Sequence, residues 1–255
     1  MDDTYFESSY RDFKKSLIGL VEQYLKSHLV NKLAKPIDYA MDVQAFCIFA
    51  HAAMEYLLES WAIAYCEFIV DEWEKGSYEG FSSSLMSLCL FYGRVPSSIY
   101  DRKKWPDLKT VMKLNVPNAA EALKSYASDR NHGINTQHIR KLFWPLGIDF
   151  EDTIKANSSL ETLRSKRGQY AHRLDRSKPY APEDARNMVL DCDRLAETLS
   201  VALTLYAFPK RALLVKARFV SLLDVRRISL SSRGTPSANS SENTAHKSKC
   251  KKSSG

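Results

Sequence analysis

The sequence predicts an all-α fold, a bundle of long helices, on three observations. Only nine glycines and nine prolines interrupt 255 residues, too few for a turn-rich sandwich or barrel. Apolar residues recur at three- and four-residue steps over long stretches. Hydrophobic residues make up 44% and charged residues 26%, an ordinary globular balance with enough apolar mass for a sizeable core.

The first helix is expected from Asp3 to about Leu33, with Phe6, Phe13, Leu17, Leu20, Tyr24 and Leu25 on its inner side and Lys35-Pro36 ending it. Asp38 or Asp42 would cap the second, which runs to about Lys75. Its stripe of Val43, Cys47, Ala50, Met54, Leu58, Trp61, Tyr65 and Phe68 makes it the spine of the bundle, about 50 Å long. Gly76 to Ser84 reads as a loop and Leu85 to Phe91 as a short helix. Val95 to Pro117 holds three prolines and no sustained period, an excursion with one helical turn near Leu108.

Pro117 suits the first position of a further helix ending before Gly133. Asn135 or Thr136 would cap a short helix carrying Ile139, Leu142 and Phe143. Ser158 with Glu161 three residues on forms a capping box, predicting a helix that ends after His172. Pro182-Glu183-Asp184 starts the last core helix, which continues to Phe208.

Residues 210–225 form a peripheral amphipathic helix candidate that can pack on the body, on a twin subunit or on a membrane surface. The Ser/Lys-rich end, 226–255, is expected to be a disordered basic tail. The division is therefore a helical domain over 1–225, its motif-bearing part at 115–208, and the tail. The most apolar segment, Val43 to Val70, is interrupted by Gln44, His51, Glu55, Glu59 and Glu67, so no membrane span is expected. The acidic opening has no signal-peptide pattern, and five scattered cysteines suit reduced thiols, which together predict a cytoplasmic protein. No CxxC or close Cys/His pairing suggests zinc, and no cofactor is implied.

Charge is unevenly placed. Residues 226–255 carry seven Lys/Arg against one acidic residue, so +6 of the chain's +7 lies there and residues 1–225 hold only +1. Within that near-neutral body, residues 164–178 concentrate six Lys/Arg against Asp175, a local +5 able to attract a polyanion.

This patch holds an Arg-x4-His arrangement, Arg167 and His172. Five residues along a helix mean roughly 140° of rotation and 7.5 Å of rise. The two side chains therefore meet only at a helix end, through a bent arginine, or with help from a second copy. Their chemistry suits RNA. Histidine moves a proton near neutrality, and arginine holds a phosphate through parallel donors while staying charged. Arg164, Lys166, Arg173 and Arg176 would guide the backbone. Tyr170 can stack on a base or pack against a neighbouring helix. The plain alternative is a solvated basic helix terminus complementing the helix dipole.

Lys166-Arg167-Gly168-Gln169-Tyr170-Ala171-His172-Arg173 resembles the signature of the HEPN superfamily, specifically the MAE-type and RiboL-PSP-type HEPN domains, where the segment resembles KRNxxAHG. Residues 131–150 are similar to that family's short helix and Leu-Gly turn. The resemblance implies a HEPN-like helical bundle with long antiparallel helices and a metal-independent endoribonuclease acting as a homodimer. Arg167 and His172 would be catalytic in a cleft shared by two motif helices. It also implies a toxin or antiviral defence effector, with RNA as substrate and an antitoxin or regulatory protein as partner. Two positions depart from the pattern: Gly168 stands where relatives commonly carry a polar residue, and Arg173 where they carry glycine. They leave open an inactive HEPN-like module binding RNA, nucleotide or protein.

Other candidates read as structural. His51, Glu55 and Glu59 fall four apart and are expected to form a solvated seam on the spine helix. His132 and His138 flank a polar turn. His28 and His246 have no discernible partner, and Asp191 and Asp193 are expected to be solvated.

Overall fold

A computed structural model describes residues 1–31, 33–76, 82–94, 108–149, 154–172 and 180–208. The chain divides into Met1–Val215 and Lys216–Gly255, and every described residue lies in the first unit. The expected peripheral helix and tail lie outside the described residues. Among the described residues there is no strand, and no helix is long and apolar enough to cross a membrane.

Helix α1 (Tyr5–Leu20) continues through a π-helical turn (Val21–Leu25) into α2 (Lys26–Val30). Then come α3 (Pro36–Glu74), α4 (Ser82–Tyr92), α5 (Leu108–Ser125), α6 (Thr136–Phe143), α7 (Ile154–His172) and α8 (Pro182–Ala207). The all-α expectation holds. At 39 residues α3 is about 58 Å long, and it packs against α1, α5, α7 and α8. Its core residues include Val43, Cys47, Trp61, Cys66 and Ile69, all at 0% exposure. The Trp61 indole N–H donates to Ser9 Oγ at 2.6 Å, and Ser200 Oγ donates to the Phe6 carbonyl at 3.1 Å, so α3 and α8 each reach α1.

Several boundaries differ from expectation for local reasons. Helix α3 begins at Pro36, with the Asp38 carboxylate accepting from the Lys35 backbone N–H at 2.8 Å, so Asp38 serves inside the first turn and not as the cap. Pro117 lies inside α5, which starts at Leu108. Proline costs a helix interior about 3 kcal/mol; burial of Val116, Ala119 and Leu123 at 0% exposure offsets it. Helix α4 starts at Ser82, ahead of the expected Leu85. Helix α7 starts at Ile154, so Ser158 is not its cap but an interior residue whose carbonyl accepts from Thr162 Oγ1 at 2.8 Å.

Asn135 does cap α6, accepting from the His138 backbone N–H at 3.0 Å. Gly147 follows at φ +70°, a left-handed position where a Cβ would sit 3.4 Å from the Ser84 backbone of α4.

Asp191 and Asp193 are buried, at 8% exposure each, not solvated. Ser159 Oγ donates to Asp191 Oδ2 at 3.0 Å, tying α7 to α8. Tyr10 OH donates to Asp193 Oδ1 at 3.1 Å and Lys14 Nζ lies 3.7 Å from its other oxygen, tying α1 to α8. Tyr10→Phe leaves that buried carboxylate short of a donor, and urea denaturation should register a loss of about 1.5–3 kcal/mol. His28 also has a partner, with Nε2 at 2.7 Å from Asp42 Oδ2. Cys47, Cys66 and Cys192 are free and buried, and burial pushes each thiol up to about 12, as inert core thiols require.

Candidate active site

Helix α7 presents the basic motif. Leu160 (0% exposed), Leu163 (1%) and Tyr170 (7%) fix its inner side in the core. Tyr170 is buried there, as the packing reading of it requires. The Lys166 ammonium lies over the Tyr180 ring, 5.2 Å from its centroid. Arg164 is half-exposed, 3.7 Å from Glu161 Oε2 on its own helix. Arg167 is partly buried and makes no ion pair among the described residues. His172 closes α7; its side chain, with Arg173 and Arg176, lies outside the described residues.

The charge of Arg167 acts on groups of α3 that the sequence reads as solvated. His51, Glu55 and Glu59 do not form a solvated seam: His51 is 2% exposed and both carboxylates are partly buried. The reason is tertiary: α7 packs on α3, the charges of its Arg167 and Arg164 reach His51, and Asn131 hydrogen-bonds to Glu59. His51 Nδ1 lies 3.7 Å from Glu55 Oε2. Among the described residues, His51 Nε2 and Glu55 Oε1 are buried without a hydrogen-bond partner.

Burial first, then the charges of Arg167 and Arg164 and of His138, push the His51 imidazole down to about 4, so it is neutral at physiological pH. Burial raises the Glu55 carboxyl above the usual range, while Arg167 and His132 pull it back. The Glu59 carboxyl is raised mainly by burial, against the hydrogen bond it accepts from Asn131 Nδ2 at 2.7 Å.

A loop completes the cluster. Asn131, which donates to Glu59, also donates to the Gly133 carbonyl at 3.3 Å. Gly133 has no room for a side chain, since a Cβ there would sit 2.9 Å from the His138 ring. Burial lowers the His138 imidazole, with Arg164 and Lys141 adding to the effect. Thus α3, the 131–135 loop, α6 and α7 converge on one polar region in which Arg167 is the partly buried cation. The local pattern at 51–59 did not reveal it. The available signal was the rarity of Gln44, His51, Glu55 and Glu59 inside an otherwise apolar helix, which implies a polar neighbour.

The RiboL-PSP-HEPN family model matches residues 21–204. The chain belongs to the RiboL-PSP-HEPN family. No curated protein and no solved structure matches it. Membership in this HEPN family supports a nuclease-like or RNA-related module, and it covers every group of the cluster above.

Gly168, the departure next to Arg167, has nothing within 4 Å of an added Cβ. No close approach among the described residues explains it. Gly168→Ala should therefore raise stability by about 0.5–1 kcal/mol, seen as a higher melting temperature of the isolated chain. A lower melting temperature would mean that a second copy packs there. Elsewhere, an open hollow of about 580 Å³ is lined by Asp2, Glu67, Asp71 and Glu74 against Lys124, a balance that repels a polyanion. Among the described residues no group of His, Cys, Asp and Glu could hold a metal.

Proposed function

We propose that this HEPN protein is an endoribonuclease that cuts RNA through Arg167 and His172, with the attacking 2′-hydroxyl supplied by the substrate. The observation that carries the proposal is the setting of Arg167: a partly buried guanidinium that makes no ion pair among the described residues, whose charge acts on His51 and Glu55 of α3, one turn from the exposed Arg164 on the same helix. The guanidinium would neutralise the phosphate as negative charge builds on it. His172, at the C-terminus of α7, would move the proton. Arg164, Lys166, Arg173 and Arg176 would position the backbone. No step in this scheme requires a metal.

The proposal includes a homodimer. Ile37, Met41, Phe49 and Tyr56 are 48–74% exposed and fall within about a 120° sector of α3, an apolar surface suited to a second copy. It also includes a cytoplasmic role as a toxin or defence effector, with an antitoxin or regulatory protein as partner. The second reading, an inactive module that binds RNA, nucleotide or protein, draws its support from Gly168 and Arg173 in place of the family's polar residue and glycine. Incubating the full chain with single-stranded and structured RNA in EDTA separates the two. Cleavage is expected; binding without cleavage would favour the second reading.

A further inference from the structure

We propose that the groove between α1 and α8 binds an aliphatic carboxylate, with its acid group on Arg186 and its chain between the two helices. The site stands apart from the endoribonuclease reading, since among the described residues none of α7 lines the groove.

The walls follow from helix geometry. On α1 and the start of the π-helical turn, Lys14, Leu17, Ile18 and Val21 recur at i, i+3, i+4 and i+7. On α8, Arg186, Val189, Leu190 and Asp193 repeat the same spacing. That spacing puts each set on one face of its helix, and the two faces meet because α1 packs on α8. Lys14 Nζ and Asp193 Oδ2, 3.7 Å apart, bridge the helices at one end. Arg186 stands two turns back along α8, about 10 Å away. The aliphatic side chains lie between, and Ile18 (57%) and Leu190 (46%) remain exposed.

Charge decides what fits there. Four charged groups line the groove: Lys14, Glu22, Arg186 and Asp193. Asp193 holds Lys14 and the Tyr10 hydroxyl, and Glu22 is paired with Lys26. Arg186 makes no ion pair among the described residues, and its Nε is buried without a hydrogen-bond partner. The acidic pair at the start of α8, Glu183 and Asp184, does not line the groove. The unmatched group is therefore a guanidinium beside an apolar trough. A buried donor without an acceptor costs stability until something accepts from it. A carboxylate can do so side-on, through two parallel N–H bonds. The volume, about 200 Å³, lies below the roughly 300–1,000 Å³ of sites for larger ligands, so it suits one aliphatic chain and not a nucleotide.

Octanoate is the probe. Titrated into the full chain with its methyl groups labelled for NMR, it should shift the Ile18, Val189 and Leu190 methyls. The shifts should saturate with a Kd of about 1 mM, ordinary for so small a ligand. Arg186→Met should raise that Kd by about 10-fold or more at an unchanged melting temperature, because Arg186 has no ion pair there to lose. Ile18→Glu, at an exposed wall, should abolish the shifts and leave the fold intact. Octylammonium, with the same chain and the opposite charge, should not bind. No saturable shift with octanoate, an unchanged Kd in Arg186→Met, or equal binding of octylammonium would overturn the proposal. So would a changed elution volume of Ile18→Glu on size exclusion, which would mean that a second copy covers the groove.

Discussion

His172→Ala should lower RNA cleavage in EDTA by about 10²–10⁴-fold, the usual worth of a positioned proton-transfer group, while the helical circular dichroism and melting temperature stay at wild-type values. Arg167→Ala should lose about 10²–10³-fold, the cost of removing a donor aimed at developing charge. The two losses should differ in kind. Arginine stabilises charge in the transition state, so Arg167→Lys keeps the charge but forfeits the fork geometry and recovers little. Histidine loss should also remove one limb of the pH–rate profile. Undiminished cleavage by His172→Ala would count against the assignment. Because Arg167 makes no ion pair among the described residues, its removal breaks no salt bridge there, and lost activity cannot be assigned to one.

Stability should fall steeply on mild acidification because of His51. Its folded value of about 4 lies below the ordinary 6.5. A depressed value means the unfolded chain takes up the proton first. The stability it contributes is present above pH 6.5 and is lost as the pH falls toward 4. Over that window the loss from this one group is about 3 kcal/mol. Urea midpoints measured from pH 7 to pH 4 should show it, and His51→Gln should flatten most of the slope. Arg167→Ala should flatten part of it, since Arg167 is the largest charge opposing protonation of His51.

Glu55 runs the other way. Its raised carboxyl contributes stability that is present below the unfolded value and lost as the pH rises through the folded one. His51→Gln should therefore expose a weak stabilisation on acidification. An unchanged slope in that variant would mean His51 is not held neutral against α7.

What could be read from the chain follows the range of the forces involved. The α3 stripe, the Asn135 cap and the Pro182 start of α8 are local patterns, and each is found where periodicity and capping chemistry place it. Pro117 and Ser158 misled because a strong local signal yields to tertiary burial or to a helix that simply extends further back. In the sequence His51, Glu55, Asp191 and Asp193 read as solvated groups, because spacing along one helix cannot show which face a second helix will cover. The groups that act on them lie far off in sequence: the charge of Arg167 on the first pair, and hydrogen bonds from Ser159 and Tyr10 to the second. The motif itself was legible as Arg-x4-His. The polar region it faces was not, since α3, the 131–135 loop and α6 contribute to it from separate stretches.

The chemistry of the RNA ends tests the proposed mechanism most directly. Attack by the 2′-hydroxyl predicts that cleavage in EDTA leaves 2′,3′-cyclic phosphate and 5′-hydroxyl termini, and that both disappear in Arg167→Ala and His172→Ala. Products ending in 3′-hydroxyl and 5′-phosphate would show water attacking in place of the ribose oxygen, and would contradict it.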